Sequence, residues 1–258
     1  MTSSIRRVVA CAGAVAFSLL AGGCAGVMAD RAERAKALQA SVAEQADPLE
    51  KGNRSTLRAN KFLNDVAISP IAHGYQKVVP EVVRRRVSNV VSNLSEPRIF
   101  ANDILQLRFK AAGGTLGRFV FNSTIGLAGM FDVATGMGLP KQTGDFGQTL
   151  YAWGFDSGPY IVLPVFGPAT VRDGLGFAVD AIVDPTNQSV ASVIGPWPII
   201  GVQVAGGLEN VELLDDLEAG SLDDYARLRS VYLQQRASEL GEALGVKIEP
   251  EVITDSAQ

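Results

Sequence analysis

Histidine and cysteine are scarce in this sequence, which limits the chemistry that the chain can perform. Its 258 residues include one histidine, His73, and two cysteines. These numbers exclude a multi-histidine metal site, a disulfide framework and a cysteine-rich zinc cluster. The sequence also lacks a Gly-x-Ser-x-Gly nucleophile elbow, a Walker loop and the glycine pattern of dinucleotide-binding proteins. We therefore expect that the protein is not an enzyme, with no catalytic residues, and that it holds no cofactor and no metal.

Charge is low as well. Charged residues make up 19% of the chain, and the formal net charge is −4. A nucleic-acid-binding protein normally presents a basic surface, so nucleic acid is not an expected partner. Apolar residues are instead abundant, at 47%, and the mean hydropathy of +0.16 is high for a water-soluble protein. The position of this hydrophobicity along the chain is therefore the main clue to function.

Part of the hydrophobicity lies at the N-terminus and has the pattern of a secretory signal. Arg6-Arg7 precede an apolar run over residues 8–21, and Gly22-Gly23-Cys24 follows it. This order of charged, apolar and small residues is typical of a cleaved signal peptide. The cysteine after two small residues resembles the lipobox of bacterial lipoproteins, which predicts a signal peptide over residues 1–23 and acylation of Cys24. A plain signal peptide or N-terminal anchor with an incidental cysteine is the alternative.

Most of the remaining hydrophobicity lies in residues 111–208, which hold nine charged residues in 98. Residues 185–208 contain none and are long enough for a transmembrane helix. Prolines and glycines interrupt this run, and broken backbone survives in a membrane only where protein or a polar cavity satisfies it. Rather than a single span, we therefore expect buried core helices or hairpins that enter a membrane from one side.

Charged residues inside this apolar zone are the best functional candidates, because an ionisable group there is costly unless it is paired or faces water. The candidates are Arg118, Asp132, Arg172 and Asp173. Arg172 and Asp173 are expected to pair with each other or with Asp132 and Arg118. A polar path through an apolar body is what the movement of an amphiphile requires, although structural salt bridges would use the same residues.

Outside the zone the pattern favours helices. Pro80 can occupy the first position of a helix whose apolar stripe continues through Leu94. The spacing of Ser221-Leu222-Asp223-Asp224 predicts a capping box that starts a second helix near the C-terminus. Only residues 160–165 and 199–204 have a pattern compatible with strands, and prolines and glycines interrupt both. The predicted fold class is therefore mainly α.

The same patterns predict the division of the chain. Residues 24–46 are rich in alanine and charge and have few large apolar side chains, so we expect a lipidated N-terminus and tether there. A helical domain is predicted over residues 47–245, followed by a tail over residues 246–258.

An ordered series of short motifs resembles the MlaA/VacJ family of outer-membrane lipoproteins. The motifs are Asp47-Pro48-Leu49-Glu50, Asn53-Arg54, Asn93-Leu94-Ser95-Glu96-Pro97, Arg118-Phe119, Asn122-Ser123-Thr124, Gly126, Gly129, Asp132, Asp145-Phe146-Gly147-Gln148-Thr149-Leu150, Trp153-Gly154, Gly158-Pro159-Tyr160, Leu163-Pro164, Gly167-Pro168, Arg172-Asp173, and then Tyr225, Arg229, Tyr232 and Arg236 of a C-terminal helix. Each motif alone is weak, but the ordered set covers nearly the whole mature chain and is highly specific.

The resemblance implies a mainly helical, ring-like lipoprotein that is embedded in the periplasmic leaflet of the outer membrane and surrounds a central amphipathic channel. Such a protein associates with trimeric porins. It removes mislocalised phospholipid from the outer leaflet and passes it to a periplasmic lipid carrier of an ABC-type transport system, which maintains lipid asymmetry. The alternatives are a porin-associated scaffold without transport activity and, less compatible with the lone histidine, a phospholipase.

The resemblance also assigns roles to individual residues. Candidates for the channel or lipid path are Arg118, Asn122, Asp132, Arg172 and Asp173. Candidates for hinge or packing positions are Gly126, Gly129, Gly158, Pro159 and Tyr160.

One departure from the family pattern lies in the opening motif. The family usually continues Gly-Phe-Asn-Arg, whereas this chain has Lys51-Gly52-Asn53-Arg54. We therefore expect the aromatic contact to be missing or to be supplied from elsewhere, with Phe62 as the candidate.

Overall fold

The computed structural model describes residues 47–184 and 223–245, together with the single residue Glu33. The first segment contains seven helices: α1 (Glu50–Leu63), α2 (Ser69–Val78), α3 (Glu81–Leu105), α4 (Phe109–Thr124), α5 (Val133–Gly136), α6 (Phe146–Ala152) and α7 (Val171–Val183). It also contains a π-helical turn at Asn64–Ile68 and two strands, β1 (Tyr160–Leu163) and β2 (Gly167–Thr170). The second segment contains one long helix, α8 (Asp224–Ala243). The prediction of a mainly helical fold is confirmed.

Several predicted features lie outside the described residues. They are the signal peptide at 1–23, the lipidation site Cys24, the tether at 24–46 apart from Glu33, the strand at 199–204, the charge-free run at 185–208, and the tail at 246–258.

The helix predicted from Pro80 is present but differs at both ends. Pro80 is the N-cap residue rather than the first helical residue, and α3 continues past Leu94 to Leu105 with Pro97 inside it. A proline lacks the N–H that would bond the carbonyl four residues earlier. Among the described elements, α3 and α4 form the most extensive contact. The helix continues because this packing outweighs the loss of one hydrogen bond.

Helices α3 and α4 have an inverted distribution of polarity. A conventional amphipathic helix buries its apolar stripe, yet in α3 Val82 is 64% exposed, and Val83, Val87 and Leu94 are exposed as well. Its buried positions carry mainly polar side chains: Asn93, Glu96, Asn102 and Asp103, with Ile99 among them. The inward face of α4 is likewise mostly polar, with Ala112, Thr115, Arg118 and Asn122.

No helix within the described ranges is long and apolar enough to cross a bilayer.

A short antiparallel hairpin follows α6. Tyr160 of β1 lies opposite Thr170 of β2, and Leu163 lies opposite Gly167. The predicted strand at 160–165 is therefore confirmed for its first four residues. It ends at Leu163 because the turn places Val165 at a φ of +72°, which is not an extended conformation.

Helix α8 closes the described structure against the hairpin. The predicted helix start is confirmed, but Asp223 is the capping residue, and its side chain accepts hydrogen bonds from the N–H groups of Tyr225 and Ala226. Ser221, the residue expected to cap, lies outside the described residues. The buried apolar cluster joins the two elements, with Tyr160 and Val162 from β1 and Tyr225 and Leu233 from α8.

Residues of α1 complete this junction. The buried side chain of Asn53 donates to the carbonyl of Tyr160 at 3.0 Å and accepts from the N–H of Val162 at 2.9 Å. Arg54 lies 4.4 Å from the centre of the Tyr225 ring. Phe62 of α1, the candidate for the missing aromatic contact, is 66% exposed and is not part of this buried junction.

Candidate functional site

A cavity of about 350 Å³ lies between α3, the start of α6, the β-hairpin, α7 and α8. One group of lining residues is ionisable: Arg98, Asp145, Asp173, Asp180, Asp184, Tyr232 and Arg236. Another group is apolar: Leu163, Phe166, Pro168, Ala169, Phe177 and Ala181. The cavity is therefore amphipathic, and its volume falls at the lower end of the ~300–1,000 Å³ range of ligand pockets.

Arg236 of α8 connects two acidic residues at this cavity. Its guanidinium donates to Asp145 at 2.6 and 2.8 Å and to Asp173 at 2.8 Å. Asp145 is the N-cap of α6, where its carboxylate also accepts from the N–H of Gln148. Asp173 lies in the first turn of α7, a position that favours negative charge at a helix N-terminus.

The carboxylate of Asp173 is the most heavily bonded group in this network. It accepts from Arg172 at 2.9 Å, from the Tyr232 hydroxyl at 2.8 Å and from Thr170 at 2.7 Å, in addition to Arg236. Burial alone would raise the pKa of Asp173, but the charges of Arg236 and Arg172 and these hydrogen bonds hold it well below its usual range. Asp173 therefore stays ionised at neutral pH.

Arg98, which also lines the cavity, pairs with two further acidic residues. Arg98 lies 3.2 Å from a carboxylate oxygen of Asp180 and 3.4 Å from one of Asp184. Asp180 also accepts from the Asn102 side chain at 3.1 Å and from the N–H of Phe146 at 2.8 Å. Burial is the largest influence on Asp180 and raises its pKa in spite of these partners.

The apolar wall of the cavity comes from the hairpin and α7. The rings of Phe166 and Phe177 have their centres 4.7 Å apart. Leu163 and Pro168 belong to the two strands, so the hairpin sets the position of this wall. A cavity with both apolar and ionic lining residues fits a ligand with both polar and apolar parts.

Arg118, Asn122 and Asp132 form a separate cluster that does not line this cavity. The Arg118 guanidinium is 2% exposed and donates to Glu96 at 2.9 Å and to Asp132 at 3.1 and 3.2 Å. The Asn122 side chain donates to Asp132 and accepts from the N–H of Ala134. The cluster thereby fixes the short helix α5 against α3 and α4.

Electrostatics within this second cluster follow from its burial. Burial would lower the pKa of Arg118, but hydrogen bonds to Glu96 and Asp132 raise it above its ordinary value. Burial raises the pKa of Glu96, which outweighs the effect of Arg118. For Asp132, hydrogen bonds from Thr135, Arg118 and Asn122 overcome burial and lower the pKa to about 2.

The sequence predicted two pairing schemes for the four charged residues, and the structure contains one of them. Arg172 pairs with Asp173, and Arg118 pairs with Asp132. No cross-pairing between these two couples occurs among the ion pairs of the described residues. The five predicted lipid-path residues are thus split, with Asp173 on the cavity, Arg172 bonded to it, and the other three in the separate cluster.

The predicted hinge or packing positions lie in two turns and at the start of β1. A Cβ on Gly126 would lie 2.9 Å from the Asn122 Cα, and one on Gly129, at a φ of +89°, would lie 2.6 Å from the Asn93 Cβ. Gly158 has a φ of +66° and precedes Pro159, whose carbonyl accepts from the N–H of Val171. Tyr160 is fully buried. Gly126, Gly129 and Tyr160 are therefore closely packed, whereas Gly158 and Pro159 are exposed.

Sequence reasoning did not select Glu96, Arg98, Asp180 or Asp184 as site residues. The sequence does contain a signal for an inward polar face on α3. It is a stripe of polar residues at helical spacing: Asn93, Glu96, Asp103 and Gln106.

Within the described residues no group of three or more His, Cys, Asp or Glu is arranged to hold a metal ion. His73 is exposed on α2 and lies 3.3 Å from the Ser69 hydroxyl.

Comparisons with known proteins agree with this architecture. The family model described as MlaA lipoprotein matches residues 45–239. An uncharacterised protein of Rickettsia felis is 39% identical over 130 residues, which span 50% of this chain and 52% of that protein. The match therefore spans about half the length of that relative.

Longer matches carry a functional name. The intermembrane phospholipid transport system lipoprotein MlaA of Haemophilus influenzae is 34% identical over 204 residues, which cover 75% of this chain and 78% of that protein. The protein of the same name from Escherichia coli K12 is 32% identical over 197 residues, with 74% and 77% covered.

A solved structure is similar as well. It is described as the structural basis for maintenance of bacterial outer membrane lipid asymmetry, and it matches with a TM-score of 0.63 and 29% identity over 76% of this chain and all of that chain. The chain belongs to the MlaA lipoprotein family.

Proposed function

We propose that this chain is a lipoprotein, anchored through Cys24 in the periplasmic leaflet of the outer membrane, that removes mislocalised phospholipid from the outer leaflet. It passes the phospholipid to a periplasmic carrier of an ABC-type transport system and so maintains lipid asymmetry. It moves its substrate without reacting with it, and a trimeric porin holds it in place. The observation that carries the proposal is the inverted polarity of α3 and α4.

The inverted polarity indicates an apolar solvent around the molecule. In water, large exposed apolar faces and buried charges both raise the free energy of the folded state. Phe109, Leu116 and Val120 project from α4 while Arg118 on the same helix is buried. In a bilayer the exposed side chains contact acyl chains, and the buried polar side chains satisfy one another inside the protein. Membrane embedding therefore accounts for both faces of the helix.

The amphipathic cavity favours transport over a scaffold role. A phospholipid has a charged headgroup and apolar chains, and the cavity lining offers Arg98 and Arg236 as charged groups and Phe166 and Phe177 as apolar groups. A scaffold that only binds a porin needs no such cavity. The names of the relatives from Haemophilus influenzae and Escherichia coli, which specify intermembrane phospholipid transport, support the same choice.

The function is tested by measuring surface phospholipid in cells that lack this chain. We expect phosphatidylethanolamine that reacts with a membrane-impermeant amine reagent to increase on deletion and to return to the normal level with the wild-type chain. An unchanged level on deletion would favour the scaffold. Release of lysophospholipid by the purified protein would instead make it a phospholipase.

Site-specific crosslinking tests whether phospholipid passes through the cavity. A photo-crosslinking amino acid at Phe177, on the apolar wall, is expected to capture phospholipid in cells. The matched position is Lys51, which is exposed on α1 and does not line the cavity. Capture at Lys51 and none at Phe177 would exclude this cavity as the lipid path.

A further inference from the structure

The ionic walls of the cavity carry more acidic than basic groups. Arg98 is shared between Asp180 and Asp184, and Arg236 is shared between Asp145 and Asp173. Two residues next to the cavity lining add opposite charges to this network. Arg172, which pairs with Asp173, adds one positive charge, and Glu239, which pairs with Arg236, adds one negative charge. Among the described residues, each cavity guanidinium therefore pairs with two carboxylates, and the described part of the walls carries more acidic than basic groups.

The end of α7 adds to this negative potential. Asp180, Ala181 and Asp184 line the cavity at the C-terminal end of the helix, and Asp184 is its C-cap residue. The last carbonyl groups of a helix carry a partial negative charge that favours cations nearby. A carboxylate gains nothing from the helix at that position, so the two acidic residues and the helix end together attract a positive group.

The cavity also has cationic groups that suit an anionic group. Arg98 and Arg236 both line it. Guanidinium groups recognise phosphate oxygens, and a phosphodiester at Arg236 would leave the acidic residues at the end of α7 to face the rest of the headgroup.

We propose that this cavity holds the phospholipid headgroup and selects headgroups that carry an ammonium group, such as phosphoethanolamine, over those with a net negative charge, such as phosphoglycerol. The inference rests on the proposed transport function and specifies the substrate class of the same site. The phosphate is held at Arg236, the ammonium group lies near Asp180 and Asp184, and the glycerol and acyl chains leave along Phe166 and Phe177. Phosphoglycerol has no cation to offset the acidic walls.

Headgroup selection is tested with the purified full-length lipoprotein in neutral detergent. The probes are phosphatidylethanolamine and phosphatidylglycerol with the same fluorescent acyl chain, and fluorescence anisotropy gives the two Kd values. We expect the wild type to bind phosphatidylethanolamine more tightly by about fivefold, the effect of one partly exposed charge interaction. Asp184→Asn should bring the ratio of Kd values close to one, whereas Arg98→Gln should increase it.

The control is Asp65→Asn, which removes the same charge from an exposed position that does not line the cavity. It should leave the ratio unchanged. Should Asp184→Asn fail to fold by circular dichroism, a salt titration of the wild type replaces it, because added NaCl weakens charge selection and should lower the ratio.

The outcomes separate the two proposals. If neither lipid binds, the transport function itself is wrong. If the wild type binds both lipids equally, transport stands and headgroup selection is wrong. A preference that survives both Asp184→Asn and high salt would also overturn the inference, because selection would then occur away from these acidic walls.

Discussion

At the scale of single residues, Arg118 shows how a buried charge is accommodated. Its guanidinium has four partners, the carboxylates of Glu96 and Asp132, the Thr135 hydroxyl and the carbonyl of Leu139. A buried ion pair is not by itself a source of stability, because desolvation offsets the attraction. Loss of one partner is different, since it leaves the other charge buried without compensation.

We therefore expect Arg118→Ala to destabilise the protein by about 3–5 kcal/mol, because Glu96 would remain fully buried without its cation. Thermal unfolding in detergent measures the effect. The control is Arg85→Ala, which removes an exposed arginine paired with Glu81 one turn earlier and should cost no more than about 0.5 kcal/mol. Equal losses in the two variants would contradict the structural role of the Arg118 cluster.

The residues also show what a sequence can and cannot predict about a site. Arg172 and Asp173 are adjacent in the sequence, and their pairing is one of the two schemes that the sequence predicts. Arg236 and Asp145 are 91 positions apart, and only the fold brings them within 2.6 Å. Charge in an apolar zone selected Asp173, which lines the cavity, but the same rule selected Arg118, whose partners lie elsewhere. Local sequence reveals that a charge needs a partner, whereas tertiary structure decides which partner it has.

At the scale of elements, α6 and α7 pack closely through two glycines. A Cβ added to Gly176 of α7 would lie 2.6 Å from the Cα of Gly147 and closer still to its backbone nitrogen. The obstruction is backbone, which cannot rotate away as a side chain can. Both helices carry cavity residues, so this contact sets the width of the cavity between Asp145 and Asp173.

Gly176→Ala is expected to push α6 and α7 apart and to destabilise the protein by about 1–3 kcal/mol, the usual cost of overpacking. The matched variant is Gly113→Ala in α4, where an added Cβ meets nothing within 4 Å. That change should stabilise the helix by up to about 1 kcal/mol because alanine has the higher helix propensity. Calorimetry measures the change in stability of both variants, and the two changes should have opposite signs. A Gly176→Ala variant as stable as wild type would contradict the close contact.

Helix α4 tests membrane embedding most directly. Leu116 is 47% exposed on the face opposite Arg118. A fluorophore on Leu116→Cys in proteoliposomes should be quenched by nitroxide-labelled lipid and protected from aqueous iodide. Labelling at Lys51→Cys on the polar helix α1 should give the reverse. Strong iodide quenching at both positions would show that the apolar face of α4 contacts water.

The pattern of α3 and α4 explains why the fold class was predictable and the orientation of the helices was not. Helical spacing of apolar residues identified the helix that starts after Pro80. An amphipathic helix in water buries its apolar face, whereas Val82 and Leu94 of α3 are exposed. Helix α3 also continued through Pro97 because its partner α4 compensates for the missing hydrogen bond. Periodicity shows which face of a helix is apolar, but the surrounding solvent decides whether that face points into the protein or away from it.

At the scale of the whole molecule, α8 holds the described C-terminal segment to the helical body at two points. Near its start, Asp223 pairs with Arg54 at 2.7 Å, and the Tyr225 hydroxyl bonds Asp47. Past its middle, Arg236 bonds Asp145 and Asp173. Since the two anchoring points lie on α1 and on the cavity wall, loosening of α8 would open the cavity.

The contribution of Arg236 depends on pH, and its sign follows from the pKa shifts. The pKa values of Asp145 and Asp173 are lowered in the folded protein, in which burial is outweighed by Arg236. A carboxyl group with a lowered folded pKa contributes stability that is present above its ordinary value of 3.8 and is lost as the pH falls. Without Arg236 the same two groups would be buried with less compensation, so their pKa values would rise and protonation would stabilise the fold.

Arg236→Ala is therefore expected to cost about 3–5 kcal/mol at pH 7, and its deficit relative to wild type should shrink as the pH is lowered toward 4. Thermal unfolding in detergent across this range measures both curves. Arg227→Ala, an exposed arginine on the same helix, serves as the control and should stay close to wild type throughout. A deficit that is the same at every pH would mean that Arg236 acts through packing of its aliphatic stem, because loss of a charge partner makes the protonation of Asp145 and Asp173 favourable and loss of packing does not.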